Sequence, residues 1–276
     1  MASQSPAPSA TEARSLAIRL ADGFARVLKH KLVAVVLHGS LTLGGYVAGR
    51  SDLDLLVLIG PRLDSKDIDM IREMLAEALG SIRRIDIRFV LASVAASPPR
   101  LPPVALAVEV APEIEGGYAL EASVAGERDM VIELSMCRDH GESLIGPAPD
   151  QLISEIPKSW VLEVGDRQLA DWQAIGDDPA HAELTVLTAC RIWRFAVAGH
   201  HYSKLAAAEW AHDQDPNLSV IQDAILRRTQ DASVVIDPVG VQVLLEKVRA
   251  VIRLTLTRFA DYTEDPGSMK FNDNQG

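Results

Sequence analysis

The chain has 276 residues, 48% of them hydrophobic and 24% charged, a globular composition that suits two domains of ordinary size. Its formal net charge is −11 at pH 7, which disfavours nucleic acid as a partner and favours a cationic small molecule. No apolar run approaches the roughly 20 residues that a membrane span needs, and residues 1–10 lack the basic start and apolar block of a signal peptide. We therefore expect a cytoplasmic monomer that does not contact a membrane.

The first half of the chain alternates helical and strand patterns. Ser9 and Glu12 form a capping-box pattern at the start of the first helix, in which apolar residues recur every four positions. Short, continuously apolar runs follow, and such runs are typical of strands that are buried on both faces. The expected elements are a helix over 10–30, strands over 31–37 and 52–59, a helix over 65–80, a strand over 83–92 and one or two strands within 104–126.

From about residue 127 the pattern is helical almost to the end of the chain. Helices are expected over 128–141, 182–200, 204–213 and 240–260, and residues 146–160 contain the expected domain boundary. The predicted layout is a disordered lead over 1–10, an α/β domain over 11–155, an all-helical domain over 156–262 and a disordered tail over 263–276.

Two carboxylates stand at the head of the second predicted strand. Asp52 and Asp54 are two residues apart, so in a strand their side chains project from the same face. Like charges at this spacing repel unless a cation lies between them, and Mg²⁺ readily binds carboxylates together with phosphate oxygens. The alternative is a polar strand edge that binds no ion.

Gly39 and Ser40 follow the first predicted strand and open a segment that we expect to be helical. Backbone N–H groups and a serine hydroxyl at such a turn suit phosphate oxygens, although a plain turn between a strand and a helix is the alternative. Asp86 lies on the polar face of the third predicted strand. If that strand neighbours the second one, Asp86 joins the aspartate pair in one cluster of three carboxylates, which can hold two metal ions or supply one pair of metal ligands and a base.

The order of these residues resembles the signature of the DNA polymerase β-like nucleotidyltransferases. That signature is a glycine and a serine, a spacer of about a dozen residues, and then acid, apolar and acid residues within a strand. Here it reads "HGSLTLGGYVAGRSDLDLLV" over residues 38–57. The resemblance implies an α/β N-terminal nucleotidyltransferase domain, built as a mixed sheet with flanking helices.

The second half resembles the streptomycin and spectinomycin adenylyltransferases of the aminoglycoside 3''/9 type, which carry an all-α C-terminal helical-bundle domain. Three segments carry this resemblance, namely "CRDHGESLIGPAP" over 137–149, "LTVLTACRIWRFAVAG" over 184–199 and "SKLAAAEWA" over 203–211. The resemblance implies Mg²⁺-dependent transfer of AMP from ATP to an antibiotic hydroxyl, with release of pyrophosphate.

The family also implies a role for each site residue. Asp52 and Asp54 would bind Mg²⁺, and Asp86 would accept the proton of the acceptor hydroxyl and complete the site for two metal ions. Gly39 and Ser40 would hold the outer phosphates of ATP. Arg191 and Lys204 would reach the triphosphate of ATP from the helical half. Without a nucleotide, the alternatives are a salt bridge for Arg191 and a solvated surface position for Lys204.

Acidic residues before Arg191 are the candidates for binding a cationic acceptor. They include Asp178 and Glu183, and Asp177 precedes them. The alternative is that Asp178 caps the helix and that Glu183 interacts favourably with the helix dipole in the first turn. Tyr118 is a further candidate, which would stack on a sugar.

Three functions remain open at this point. The first is an aminoglycoside adenylyltransferase, and the second is a nucleotidyltransferase that modifies another small molecule, a protein or an RNA end. The third is a nucleotide-binding sensor without catalytic activity. The presence of all three expected carboxylates favours an enzyme, and the net charge disfavours RNA.

Overall fold

A six-stranded mixed sheet forms the centre of the first half of the chain. The computed structural model describes residues 8–78, 84–111, 114, 117–124, 126, 129–176, 178–230 and 232–264. The strands are β1 Leu32–His38, β2 Leu53–Ile59, β3 Ile85–Leu91, β4 Val104–Val110, β5 Tyr118–Val124 and β6 Glu142–Ile145. They lie in the order β5-β4-β3-β2-β1-β6, in which β2 and β3 are parallel and the other neighbours antiparallel.

Helices flank the sheet and form the second half of the chain. They are α1 Ala10–Leu28, α2 Ser65–Ala78, α3 Ala92–Ala96, α4 Met130–His140, α5 Pro149–Leu152, α6 Lys158–Ile175, α7 Ala182–Ala198, α8 Lys204–Gln214, α9 Ser219–Thr229 and α10 Pro238–Glu264. The predicted capping box at the start of α1 is confirmed. The Glu12 N–H donates to Ser9 Oγ at 3.3 Å, and the Ser9 N–H donates to Glu12 Oε2 at 2.7 Å.

Both faces of the central strands β1, β2 and β3 are buried, which explains why these strands are continuously apolar. On one face, the side chains of Leu55 and Val57 pack with α1 and α2, and the rings of Phe24 and Phe89 meet edge to face at 5.3 Å. On the other face, Leu56 belongs to a hydrophobic cluster that continues through α4 and α6 into α7 and α10. One core therefore joins the sheet to the helical half.

Most of the predicted elements are confirmed, and two expectations are wrong. Residues 142–145, in the region predicted to be helical, form β6, which pairs with β1 and completes one edge of the sheet. The segment after Gly39 forms turns rather than a helix, although the Leu43 N–H donates to the Gly39 carbonyl at 3.1 Å. The predicted stop of α2 at Gly80 lies outside the described residues.

The expected domain boundary near residue 155 falls between α5 and α6. The expected disordered segments over 1–10 and 263–276 fall mostly outside the described residues, since α1 begins at Ala10 and α10 ends at Glu264. Within the part of the chain that the structure describes, no helix combines the length and the apolar character needed to cross a bilayer.

Candidate active site

A cleft of about 610 Å³ lies between the sheet and the helical half. Its sheet side is formed by the end of β1, the following loop and the start of β2. Its helical side is formed by residues of α4, α6, α7, α8 and α9. Six of the residues predicted from the sequence line this cleft, namely Gly39, Ser40, Asp52, Asp54, Arg191 and Lys204.

Asp54 is held at the floor of the cleft by the turn that follows β1. Gly39 has a φ of +71°, and a β-carbon built on it would lie 2.0 Å from Asp54 Oδ2, so only glycine leaves room for this carboxylate. The Ser40 N–H donates to the same carboxylate. Burial and the neighbouring Asp52 raise the pKa of Asp54 to about 6, while Lys204 and Arg191 oppose the shift.

Asp52 and Asp54 form a carboxylate pair that fits Mg²⁺. Both side chains line the cleft, and the charge of Asp52 helps to raise the pKa of Asp54, which is the repulsion that a bound cation would relieve. Among the described residues, no group of three or more His, Cys, Asp or Glu side chains is arranged to hold a metal ion. Two carboxylates are nevertheless sufficient, since Mg²⁺ commonly takes one or two of them and completes its shell with water and substrate phosphates.

Asp86 neighbours this pair but contacts a different partner. It lies directly across from Asp54 in the parallel register of β2 and β3, as the sequence pattern requires. Its carboxylate forms an ion pair with Arg88 Nη1 at 2.5 Å, and Arg88 Nη2 lies 3.5 Å from Glu109 Oε1. The buried Arg88 is thus the ion-pair partner of Asp86, which is not among the residues that line the cleft.

Arg191 and Lys204 bring positive charge to the opposite wall of the cleft. Both are half-buried lining residues, Arg191 in α7 and Lys204 at the start of α8. Burial lowers the pKa of Lys204 to about 8, with Arg191 and Arg228 adding to the effect and Asp52 and Asp54 opposing it. Burial also lowers the pKa of Arg191, against the charges of Asp54 and other acids. Two crowded cations of this kind are suited to an anionic ligand.

The loop between β1 and β2 is packed tightly against the helical half. A β-carbon built on Gly45 would lie 2.5 Å from Ser203 Cβ, and Ser203 caps α8 by accepting the Ala206 N–H. The Gly45 N–H also donates to the Ser40 carbonyl at 2.9 Å. Gly39 and Gly45 are therefore required for different close approaches, one to a carboxylate and one to the neighbouring helix.

Asp178 and Glu183, the two predicted acceptor ligands, are engaged in contacts with the protein. Asp178 Oδ1 accepts the Ala180 N–H at 3.1 Å, and its other oxygen lies 2.7 Å from His181 Nδ1, but the N-cap of α7 is His181, and no side chain caps the helix. Glu183 is ion-paired with Arg50 and with arginines of α9. Neither carboxylate lines the cleft. Asp177 lies outside the described residues.

His38 directly precedes the Gly39-Ser40 turn in the sequence, whereas the other residues of the cleft described next carried no signal there. His38 ends β1 opposite Asp54, and burial together with the charge of Arg88 lowers its pKa to about 4, so its ring is neutral. Arg228 of α9 lines the cleft, as do Asp129 and Glu133 at the start of α4. No local spacing links these side chains to the Asp52 motif, and tertiary packing alone brings them together.

Comparison with known proteins agrees with this fold. The family model described as "Aminoglycoside adenylyltransferase, C-terminal domain" matches residues 151–258. The chain is 30% identical over 199 residues to an aminoglycoside (3'') (9) adenylyltransferase of Klebsiella pneumoniae, covering 69% of this chain and 75% of the relative. It is also 30% identical over 199 residues to the protein of that name from Escherichia coli, covering 69% and 74%.

A solved structure shares the fold of most of the chain. It is the spectinomycin adenyltransferase AAD(9) from Enterococcus faecialis, crystallised with ATP and spectinomycin. The superposition has a TM-score of 0.67 at 15% sequence identity and covers 87% of this chain and 99% of that one. Taken together with the sequence relatives, these matches show that the chain is a nucleotidyltransferase and belongs to the aminoglycoside (3'') (9) adenylyltransferase family.

Proposed function

We propose that this protein transfers AMP from ATP to a hydroxyl of streptomycin, spectinomycin or both, in a reaction that requires Mg²⁺ and releases pyrophosphate. One observation carries the proposal. Asp52 and Asp54 line one wall of the cleft, and Arg191 and Lys204 line the other, so a metal-bound triphosphate fits between them. The names of the sequence relatives supply the acceptor class.

Asp52 and Asp54 are the proposed ligands of Mg²⁺. When bound, the metal would stabilise charge on the phosphate oxygens during transfer. Ser40 supports this arrangement because its N–H donates to the Asp54 carboxylate and thereby fixes the side chain. Gly39 allows the backbone to approach that carboxylate. Ser40 lines the cleft, and its hydroxyl is buried without a hydrogen-bond partner among the described residues, a partner that a phosphate oxygen would supply.

Arg191 and Lys204 are the proposed phosphate ligands of the helical half. A guanidinium can bind two phosphate oxygens at once, whereas an ammonium acts as a compact point charge. Both side chains are half-buried close to Asp54, so the triphosphate would replace part of the solvation that they lose in the folded protein. They would also stabilise the negative charge that develops on the leaving pyrophosphate.

Asp86 is the proposed general base. Its carboxylate would accept the proton of the acceptor hydroxyl as that oxygen attacks the α-phosphorus and the bond to pyrophosphate breaks. Asp86 is the register partner of Asp54 on the neighbouring strand, which keeps it close to the proposed metal site. The Arg88 ion pair orients the side chain before the acceptor binds, and rotation from Arg88 towards the cleft would bring it to the hydroxyl.

The charge of the cleft supports a cationic acceptor. Asp129 and Glu133 add two carboxylates to the lining beside the aspartate pair, and the whole chain has a net charge of −11. Such a field raises the local concentration of a polycation. Asp178 contacts His181 and Glu183 is ion-paired with Arg50, and neither side chain lines the cleft as Asp129 and Glu133 do.

Pyrophosphate release tests this proposal. The protein is incubated with ATP, Mg²⁺ and a panel of aminoglycosides, and release is expected only with streptomycin, spectinomycin or both. Asp86→Ala should abolish release and keep the wild-type affinity for ATP, measured by calorimetry. Release with no drug of the panel would contradict the proposed acceptor and leave another small molecule or a protein as the alternative. Full turnover by Asp86→Ala would show that another group is the base.

A further inference from the structure

Glu183 is the centre of an ion-pair cluster that joins three separate parts of the chain. Its carboxylate lies 2.9 Å from Arg50 Nη1, 3.2 Å from Arg228 Nη1 and 3.9 Å from Arg227 Nε. Arg50 belongs to the loop between β1 and β2, Glu183 to the first turn of α7, and both other arginines to the last turn of α9. The Glu183 side chain is only 12% exposed, so these pairs are poorly screened by solvent. We call these four residues the Glu183 cluster.

The Glu183 cluster binds the loop residues that immediately precede Asp52. Arg228 Nη2 donates to the Arg50 carbonyl at 2.9 Å and lies 3.4 Å from Ser51 Oγ. One guanidinium therefore binds the Glu183 carboxylate and two consecutive residues of the loop. Asp52, the next residue, is one of the two carboxylates proposed to bind Mg²⁺.

The bound segment, residues 47–51, is itself a hydrogen-bonded turn. The N–H groups of Arg50 and Ser51 both donate to the Val47 carbonyl, at 3.0 Å and 2.9 Å. The Val47 N–H donates in return to Ser51 Oγ at 2.9 Å. Because the turn is internally bonded, a contact that fixes Arg50 and Ser51 also fixes the direction in which Asp52 leaves the turn.

We propose that Glu183, Arg50 and Arg228 are positioning residues that hold Asp52 in place for the nucleotide, and that Glu183 binds no part of the acceptor. This inference rests on the proposed function only for the role of Asp52. The contacts give the reason for it. Removing the Glu183 charge would leave the arginines to repel one another and would release the carbonyl of Arg50 from Arg228. The helical half would then no longer set the geometry of the proposed metal site.

Hydrogen exchange in the ligand-free protein tests the positioning directly and needs no activity. In Glu183→Gln we expect the amides of Arg50 and Ser51 to exchange about tenfold faster, because the turn opens more often when the contacts that Arg228 makes with it are weakened. The matched control is Glu163→Gln, which removes another ion pair between the halves, with Arg100, away from the cleft. Wild-type exchange at both amides in Glu183→Gln would overturn the proposal.

Binding and kinetics separate positioning from acceptor binding. Glu183→Gln and Arg50→Met should each weaken binding of ATP with Mg²⁺ by about tenfold in calorimetry. The double variant should bind ATP no more weakly than either single variant, because both substitutions disrupt the same Glu183 cluster. The KM for the drug should stay within about twofold of wild type. A raised drug KM with unchanged ATP binding would assign Glu183 to the acceptor site and overturn the proposal. If the wild type transfers AMP to no drug, the proposed function fails, while the exchange and ATP-binding results still decide the role of the cluster.

Discussion

A β-carbon on Gly39 would lie 2.0 Å from Asp54 Oδ2, so the turn after β1 approaches the Asp54 carboxylate too closely for any side chain at position 39. Gly39→Ala should therefore displace Asp54 and lower kcat by at least about 100-fold, since a misplacement of about 1 Å can cost that much. The measurement is steady-state AMP transfer, accompanied by circular dichroism to show that the variant folds.

Gly44→Ala is the control for Gly39→Ala. Gly44 has a φ of +69°, close to that of Gly39, but nothing lies within 4 Å of a β-carbon built on it. This substitution should cost about 1 kcal/mol of folding free energy for the left-handed backbone and leave kcat near wild type. Equal loss of activity in the two variants would show that backbone strain, and not the clash with Asp54, causes the defect.

Asp54 should make the ligand-free protein less stable at neutral pH than an uncharged substitute does. Its folded-state pKa is about 6 against an ordinary value of 3.8, so the folded protein favours the protonated carboxyl. The stability associated with that proton is present below pH 4 and is lost as the pH rises through 6. Asp54→Asn should therefore stabilise the protein by about 2 kcal/mol at pH 7.5. The gain should shrink towards pH 4. Urea unfolding at both pH values checks this, and a gain that does not depend on pH would contradict it.

Lys204 should impose an upper pH limit on ATP binding. Burial and the nearby Arg191 lower its pKa to about 8, so the free protein loses this charge in mildly alkaline solution. Because the triphosphate favours the ammonium form, affinity for ATP should fall above pH 8 by up to about tenfold per pH unit. Lys204→Met should bind ATP weakly without this dependence on pH. Calorimetry between pH 7 and 9.5 measures both, and a wild-type affinity that stays flat to pH 9.5 would exclude Lys204 as the charged ligand.

Chelation of the metal should distinguish the contribution of the aspartate pair to ATP binding from that of the rest of the cleft. With EDTA, AMP transfer should stop, and the loss of the metal should weaken ATP binding in the wild type much more than in Asp52→Asn, which already lacks one proposed ligand. Titration of Mg²⁺ back into the wild type should restore transfer, and Asp52→Asn should need a higher concentration for half of its own maximum. Transfer that is insensitive to EDTA would contradict the proposed metal site.

The sequence predicts the parts of the site that depend on local spacing. The apolar neighbours of Asp54 and Asp86 predict the polar face of each strand, and the two residues are register partners in β2 and β3, while Asp52 directly precedes β2. Arg191 and Lys204 are found through motifs that resemble a known family. Asp52, Asp54, Arg191 and Lys204 line one cleft, and Asp86 is the register partner of Asp54 but is not among the lining residues.

Side-chain partners that come from distant segments could not be predicted in this way. Glu183 and Arg50 are 133 positions apart, and their pairing depends on how α7 packs against the loop after β1. Arg88 is close to Asp86 in sequence, but the pattern of a strand does not tell whether its guanidinium faces a carboxylate or solvent. The strand β6 was missed for a similar reason, since its four residues have little period of their own and are fixed by pairing with β1.

The most direct test of the proposed function is the mass of the drug after reaction. Streptomycin and spectinomycin are each incubated with the protein, ATP and Mg²⁺, and the products are analysed by mass spectrometry. We predict that at least one drug gains a single AMP group with the wild type and none with Asp54→Asn. If both drugs stay unmodified while calorimetry shows that the wild type binds ATP with Mg²⁺, AMP transfer to these antibiotics is contradicted.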